Sequence, residues 1–200
     1  NGDEGKLVAV NDPRLEPLWK KAAEVGAIVA IHTGDPKAFF EEVTPKNERY
    51  EELTIAEGWS FFGKDYPSRA QLLQQRDAVI KKHPKVTFLG IHLANNPEDI
   101  DYVDKLLQRC PNLYVDTSAR LGEIGRHPPD RVRAFFVKHQ DRILFGTDLI
   151  VTPYGMQLGS VSKDDKPQTL DDADDFYRDH RLYFETDLKN IDHPTPIQKL

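Results

Sequence analysis

The sequence predicts an α/β fold built on a parallel sheet, and three observations predict it. Four short apolar, β-branched runs stand at residues 27–31, 86–91, 112–115 and 142–145, each bounded by turn residues; near-continuous runs of this kind suit parallel strands covered on both faces. Segments with a helical apolar period alternate with them, which means βαβ units. Three of the four runs end in a side chain that can bind a metal or move a proton.

Taken in order, Leu15, Leu18, Trp19, Ala22 and Ala23 share one helical face, opened by Asp12-Pro13 and stopped at Gly26. The run at 27–31 follows. Residues 33–67 then form a connection of about 35 residues, where a βα loop usually takes ~2–6. It carries Phe39, Phe40, Tyr50, Trp59, Phe61, Phe62 and Tyr66, too aromatic for disorder. It is expected to be a lid-like cover over a ligand site, with a packed insertion or a subunit contact as the plainer alternative.

A helix is predicted over 68–82 with Leu72, Leu73, Val79 and Ile80 on one side, ending at His83-Pro84. Another is predicted over 97–109 with Ile100, Val103, Leu106 and Leu107, and a further one over 129–139 that buries Val132, Phe135 and Phe136. Residues 150–169, rich in Gly, Pro, Ser and Asp, are expected to be an irregular loop. A last amphipathic helix is predicted over 170–185, its Asp-rich start matching the positive end of the helix dipole, and 186–200 read as a tail.

Length and charge narrow the partners. The 200 residues suit one domain, short of the ~250 of a complete eight-stranded barrel. Net charge is −6 with both signs interspersed, so neither nucleic acid nor an anionic membrane surface is indicated, and a small molecule is the expected partner. The single Cys110 precludes an intramolecular disulfide framework and fits a reducing compartment, which favours the cytoplasm. No apolar run approaches the ~20 residues of a membrane helix. The polar start, Asn1-Gly2-Asp3-Glu4-Gly5 with no initiator Met, reads as a cut point.

The three strand-end residues are His32, His92 and Asp148. In parallel α/β sheets and barrels the ligand site lies outside the carboxyl ends of the strands, so these three are expected to converge there. A neutral imidazole suits zinc, and a carboxylate can ligate the ion or take a proton from its water. Singly, such a His is more often a hydrogen-bonded structural residue and such an Asp a helix cap. Three at equivalent places in successive units shift that balance toward chemistry.

The segments Ile31-His32-Thr33-Gly34-Asp35-Pro36, Gly90-Ile91-His92-Leu93-Ala94, Pro111-Asn112-Leu113-Tyr114-Val115-Asp116-Thr117-Ser118 and Arg142-Ile143-Leu144-Phe145-Gly146-Thr147-Asp148 together resemble the amidohydrolase-related (amidohydrolase 2) metal-dependent hydrolases. The resemblance implies a TIM-barrel-like fold in which His32 follows the fifth strand, His92 the sixth and Asp148 the eighth. It implies that His32 and Asp148 ligate a divalent ion, zinc or else manganese, and that Asp148 also serves as base. It gives His92 the task of orienting or polarising the substrate, or of binding a second ion. Asp116 and Ser118 either line the site or cap a turn, and Trp59 of the long connection is a candidate for contact with substrate.

The family's first strand ends in His-x-His, and this sequence contains no such motif. By the resemblance the chain supplies strands five to eight, with strands one to four to come from the missing N-terminal half or from self-association as a homo-oligomer. The reaction implied is metal-assisted hydrolysis of a C–N or C–O bond. Decarboxylation with the same residues, a non-catalytic half-barrel scaffold, and a binding module using the aromatic connection stand as alternatives.

Overall fold

The computed structural model describes residues 7–34, 36–160 and 168–191. Four parallel strands, β1 (Ile28–Ile31), β2 (Thr87–Gly90), β3 (Leu113–Asp116) and β4 (Ile143–Leu144), lie side by side in sequence order. The register pairs Ile31 with Gly90, Gly90 with Val115 and Val115 with Ile143. The strands therefore finish nearly level, and the residues that follow them emerge along one edge of the sheet. Parallel strands in sequential order with helical crossovers fit a TIM-barrel-like α/β fold.

The helices form where periodicity and capping agree. Helix α1 (Glu16–Val25) ends at Gly26 in the left-handed conformation, φ 64°, which costs glycine nothing. Helix α2 (Tyr50–Ile55) lies within the long connection, flanked by the 3₁₀ turns Lys37–Phe40 and Glu57–Trp59. Helix α3 (Arg69–Lys82) opens with a capping box between Ser68 and Gln71. Helix α4 (Ile100–Arg109) starts three residues later than its apolar pattern predicts, because the Asp99 side chain accepts from the Tyr102 N–H at 3.0 Å and sets the cap there. Helices α5 (Leu121–Gly125) and α6 (Pro129–Lys138) follow β3. The core forms where α1, α3, α4 and α6 set Trp19, Ile80, Val103, Leu107 and Phe135 against Phe88, Leu113 and Val115 of the sheet.

Two expectations need correction. Residues 150–169 are not irregular throughout: β5 (Leu149–Thr152) and β6 (Gly155–Leu158) form an antiparallel hairpin. Leu149, Ile150, Val151 and Thr152 are strand formers, and Pro153-Tyr154 makes a two-residue turn, signals outweighed by the polar composition downstream. Strands covered on both faces hold only in the middle of the sheet, since Ile28 on β1 is 70% exposed and Phe145 just past β4 is 59% exposed. The final helix, α7 (Leu170–Glu185), is capped by Thr169 and Asp172. Residues 161–167 of the expected loop and 192–200 of the expected tail lie outside the described residues.

Candidate active site

The turn after β2 is where the sequence folds least predictably. His92, Leu93, Ala94 and Asn95 all have positive φ, between 49° and 57°, and make one turn of left-handed helix. For L-residues this costs roughly 1–2 kcal/mol each, so the surroundings must hold it. Leu93 and Ala94 are fully buried. The buried Arg76 of α3 donates to the Ala94 carbonyl, and Arg69 donates to the Asn95 carbonyl at 2.7 Å. Asn95 accepts from the Thr33 N–H at 3.1 Å, tying the turn to the residue after His32. Gly90 makes room, because a Cβ there would meet the Ala94 Cβ at 3.0 Å.

This turn presents His92 to Asp116 and Ser118. One carboxylate oxygen of Asp116 accepts from the His92 N–H at 2.9 Å, the Ser118 N–H at 3.1 Å and the Ser118 hydroxyl at 2.5 Å. The His92 Nδ1 lies 2.7 Å from the Ser118 carbonyl oxygen. A carbonyl only accepts, so Nδ1 carries a proton, and in the neutral ring Nε2 carries the lone pair. Asp116 and Ser118 thus act on the backbone and ring of His92: of the two roles open to them, the geometry supplies the turn cap.

The His32 and His92 rings stand 5.0 Å apart at 82°. Asp148 has φ 61° and lies within electrostatic reach of His32, Arg120 and Asp116. Burial raises its pKa, against the pull of Arg120 and His32. His32, His92, Asp148 and Trp59 all line one cavity of about 330 Å³. A second cavity of about 320 Å³ shares His32 and Phe61, and its other described walls are mostly apolar.

The long connection supplies much of the lining of this cavity. Phe39 and Trp59 pack with centroids 5.9 Å apart and ring planes tilted by 31°, and both line it. On the same cavity Arg49 pairs with Glu52 at 2.9 Å and with Glu123 of α5, all three buried, while Ser160 beyond the hairpin donates to Glu52. Burial pushes the Glu123 carboxyl up, but Arg49 and Arg120 outweigh it and hold the pKa at about 2.

A sequence model of the family described as amidohydrolase matches residues 3–183. The chain belongs to the amidohydrolase family. No curated protein and no solved structure matches the chain. Membership supports a hydrolase-type function in general, in a family that typically uses divalent metals.

The donor types at the amidohydrolase cavity suit such an ion, since imidazole nitrogen and carboxylate oxygen both bind zinc. Their number does not complete a set: among the described residues no group of three His, Cys, Asp or Glu side chains could hold a metal. No helix of the described residues is long and apolar enough to cross a membrane.

Sequence reasoning missed Arg76, Arg49, Glu52, Glu123 and Arg120. Arg76 left a signal, because it interrupts the apolar stripe of Leu72, Leu73, Val79 and Ile80, and a charge on a buried stripe needs a buried partner. Arg120 sits in a loop, where no periodicity marks it.

Proposed function

We propose that the protein is a metal-dependent hydrolase of the amidohydrolase type, in which water attacks a C–N or C–O bond of a small carbonyl substrate. The observation that carries this reading is the meeting of His32, His92 and Asp148 on one cavity at the carboxyl ends of the strands. His32 and Asp148 would hold a divalent ion, zinc or manganese, with further donors from outside the described residues. That need accords with a chain that supplies strands five to eight of a barrel, completed by an N-terminal half or by a second copy. When bound, the ion would lower the pKa of its water to about 7.

The chain's own residues divide the remaining work. Asp148, its proton affinity raised by burial, takes the proton of the attacking water at a carboxylate oxygen and returns it to the departing nitrogen or oxygen. His92, held through Nδ1 by the Ser118 carbonyl, acts through Nε2: as a lone pair it accepts from an N–H or O–H of the substrate, and when protonated it donates to the carbonyl oxygen and stabilises the oxyanion. The Phe39–Trp59 wall and the Arg49 cluster keep the connection over the cavity as a lid, limiting bulk water.

The incomplete ligand set favours one second reading, a non-catalytic scaffold. The test is turnover of a panel of small amides, esters and lactones, with and without prior chelation. Hydrolysis that chelation abolishes and zinc or manganese restores supports the proposal. Carbon dioxide release from carboxylic acids in place of hydrolysis would assign decarboxylation, and no turnover of either kind would leave the scaffold.

A further inference from the structure

We propose that Asn95 is a positioning residue: by pairing with the backbone just beyond His32 it fixes the His92 ring against the His32 ring, and so sets where a substrate carbonyl sits between them. The consequence for substrate rests on the hydrolase reading, whereas the pairing does not.

The sheet by itself does not set this spacing. Ladder pairing between β1 and β2 ends at Ile31 with Gly90, so both histidines lie beyond it. There the two chains take different courses: Thr33 begins the long connection, and His92 enters the left-handed turn. The Asn95 side chain spans the gap, its Oδ1 accepting from the Thr33 N–H at 3.1 Å. Asn95 suits the place. It is 1% exposed with φ 49°, and asparagine is one of the few residues that enter the left-handed region readily.

Asn95 is itself held. Arg69 at the start of α3 donates to the Asn95 carbonyl at 2.7 Å, to the Asn96 side chain at 3.0 Å and to the Glu98 carboxylate at 2.9 Å. Glu98 accepts in turn from the Lys37 N–H of the long connection at 2.8 Å. Helix α3, the left-handed turn and the long connection thus meet in one bracket, and Asn95 is the member that reaches the residue after His32. The two rings it sets stand 5.0 Å apart, edge to face at 82°. Such a contact is too weak to hold two strand ends in place unaided.

The test is the nuclear Overhauser cross-peak between the His32 and His92 imidazole protons of the full, isotope-labelled chain, read beside the thermal unfolding midpoint of each variant. From 5.0 Å, a drift of about 1 Å, enough to matter to turnover, weakens that cross-peak about threefold through its inverse sixth-power dependence on distance. Asn95→Gly keeps the left-handed backbone but removes the acceptor, and should lose at least that much. Asn95→Asp keeps the acceptor and gives up only a side-chain N–H with no hydrogen-bond partner among the described residues. It should hold the cross-peak at wild-type strength even though its buried carboxyl lowers the unfolding midpoint. Arg69→Ala alters a partly exposed side chain and should weaken the cross-peak by a smaller factor, which keeps the test decisive if Asn95→Gly does not fold. A cross-peak absent from the wild type overturns the proposal. So does one unchanged in folded Asn95→Gly or, failing that variant, in Arg69→Ala, and so does equal loss in Asn95→Asp, which would tie the signal to stability and not to the acceptor. The measurement needs neither metal nor turnover: the expected pattern in a chain that binds no metal sinks the hydrolase reading alone, whereas an active, metal-loaded chain whose cross-peak survives in Asn95→Gly sinks this inference alone.

Discussion

The His92 Nδ1 lies 2.7 Å from the Ser118 carbonyl oxygen, and the Asp116 carboxylate holds the backbone N–H of both residues. The ring that faces the cavity is therefore oriented by the loop after the neighbouring strand, not by its own.

Removing that carboxylate should loosen the ring. Asp116→Ala leaves two buried N–H groups without their acceptor, at roughly 1–3 kcal/mol each. Nitrogen NMR of the His92 imidazole should show a Nδ1-protonated ring in the wild type and a mixed tautomer in Asp116→Ala. Ser118→Ala keeps the carbonyl and should keep the tautomer.

Gly90 should tolerate no side chain. A Cβ there meets the Ala94 Cβ at 3.0 Å and its Cα at 3.1 Å, so Gly90→Ala pushes against the left-handed turn and should cost about 1–3 kcal/mol in urea unfolding, as overpacking does. At Gly26 a Cβ meets nothing within 4 Å. Gly26→Ala should cost only the left-handed strain, roughly 1–2 kcal/mol.

The Arg49 cluster has an acid limit. Glu123 has a folded pKa of about 2 against an ordinary 4.5, so the unfolded chain binds its proton first. Its contribution is complete above about pH 5 and fades as pH falls toward 2. Glu123→Gln should be less stable than wild type at pH 7, by about 3–5 kcal/mol for a broken buried pair, and the difference should shrink between pH 5 and pH 2.

His180 of α7 sets a second acid limit, nearer neutrality. Its Nδ1 donates to the Phe176 carbonyl at 2.7 Å, its Nε2 is buried without a hydrogen-bond partner among the described residues, and the Phe145 and Phe176 rings flank it. Burial lowers its pKa below 6.5, so the unfolded chain takes the proton first and stability falls as pH drops below about 6.5. Thermal unfolding between pH 7 and pH 5 should show this decline in the wild type and a smaller one in His180→Phe.

Much of the scaffold was legible because its signals are local. Asp12-Pro13, Gly26 and His83-Pro84 mark helix ends through near-neighbour chemistry, and the β-branched runs mark strands. His32, His92 and Asp148 were legible from their places at strand ends, and the structure brings all three to one cavity. The left-handed turn was not, because Ile91-His92-Leu93-Ala94-Asn95 has no glycine at the positions of positive φ. Only long-range partners, Arg76 and Arg69 on the carbonyls and Asp116 on the N–H, make it affordable. The Arg49–Glu123 pair spans 74 positions, and no pattern in the sequence links the two.

The central claim is that His32 and Asp148 are ligands of one catalytic ion. Metal content of the purified chain after loading with zinc or manganese and desalting tests it most directly. The account predicts one equivalent or more per assembled site, lost in His32→Ala and in Asp148→Ala while both variants keep the far-ultraviolet circular dichroism of the wild type. Folded protein that retains no metal, or metal that both variants hold as tightly as the wild type, would contradict it.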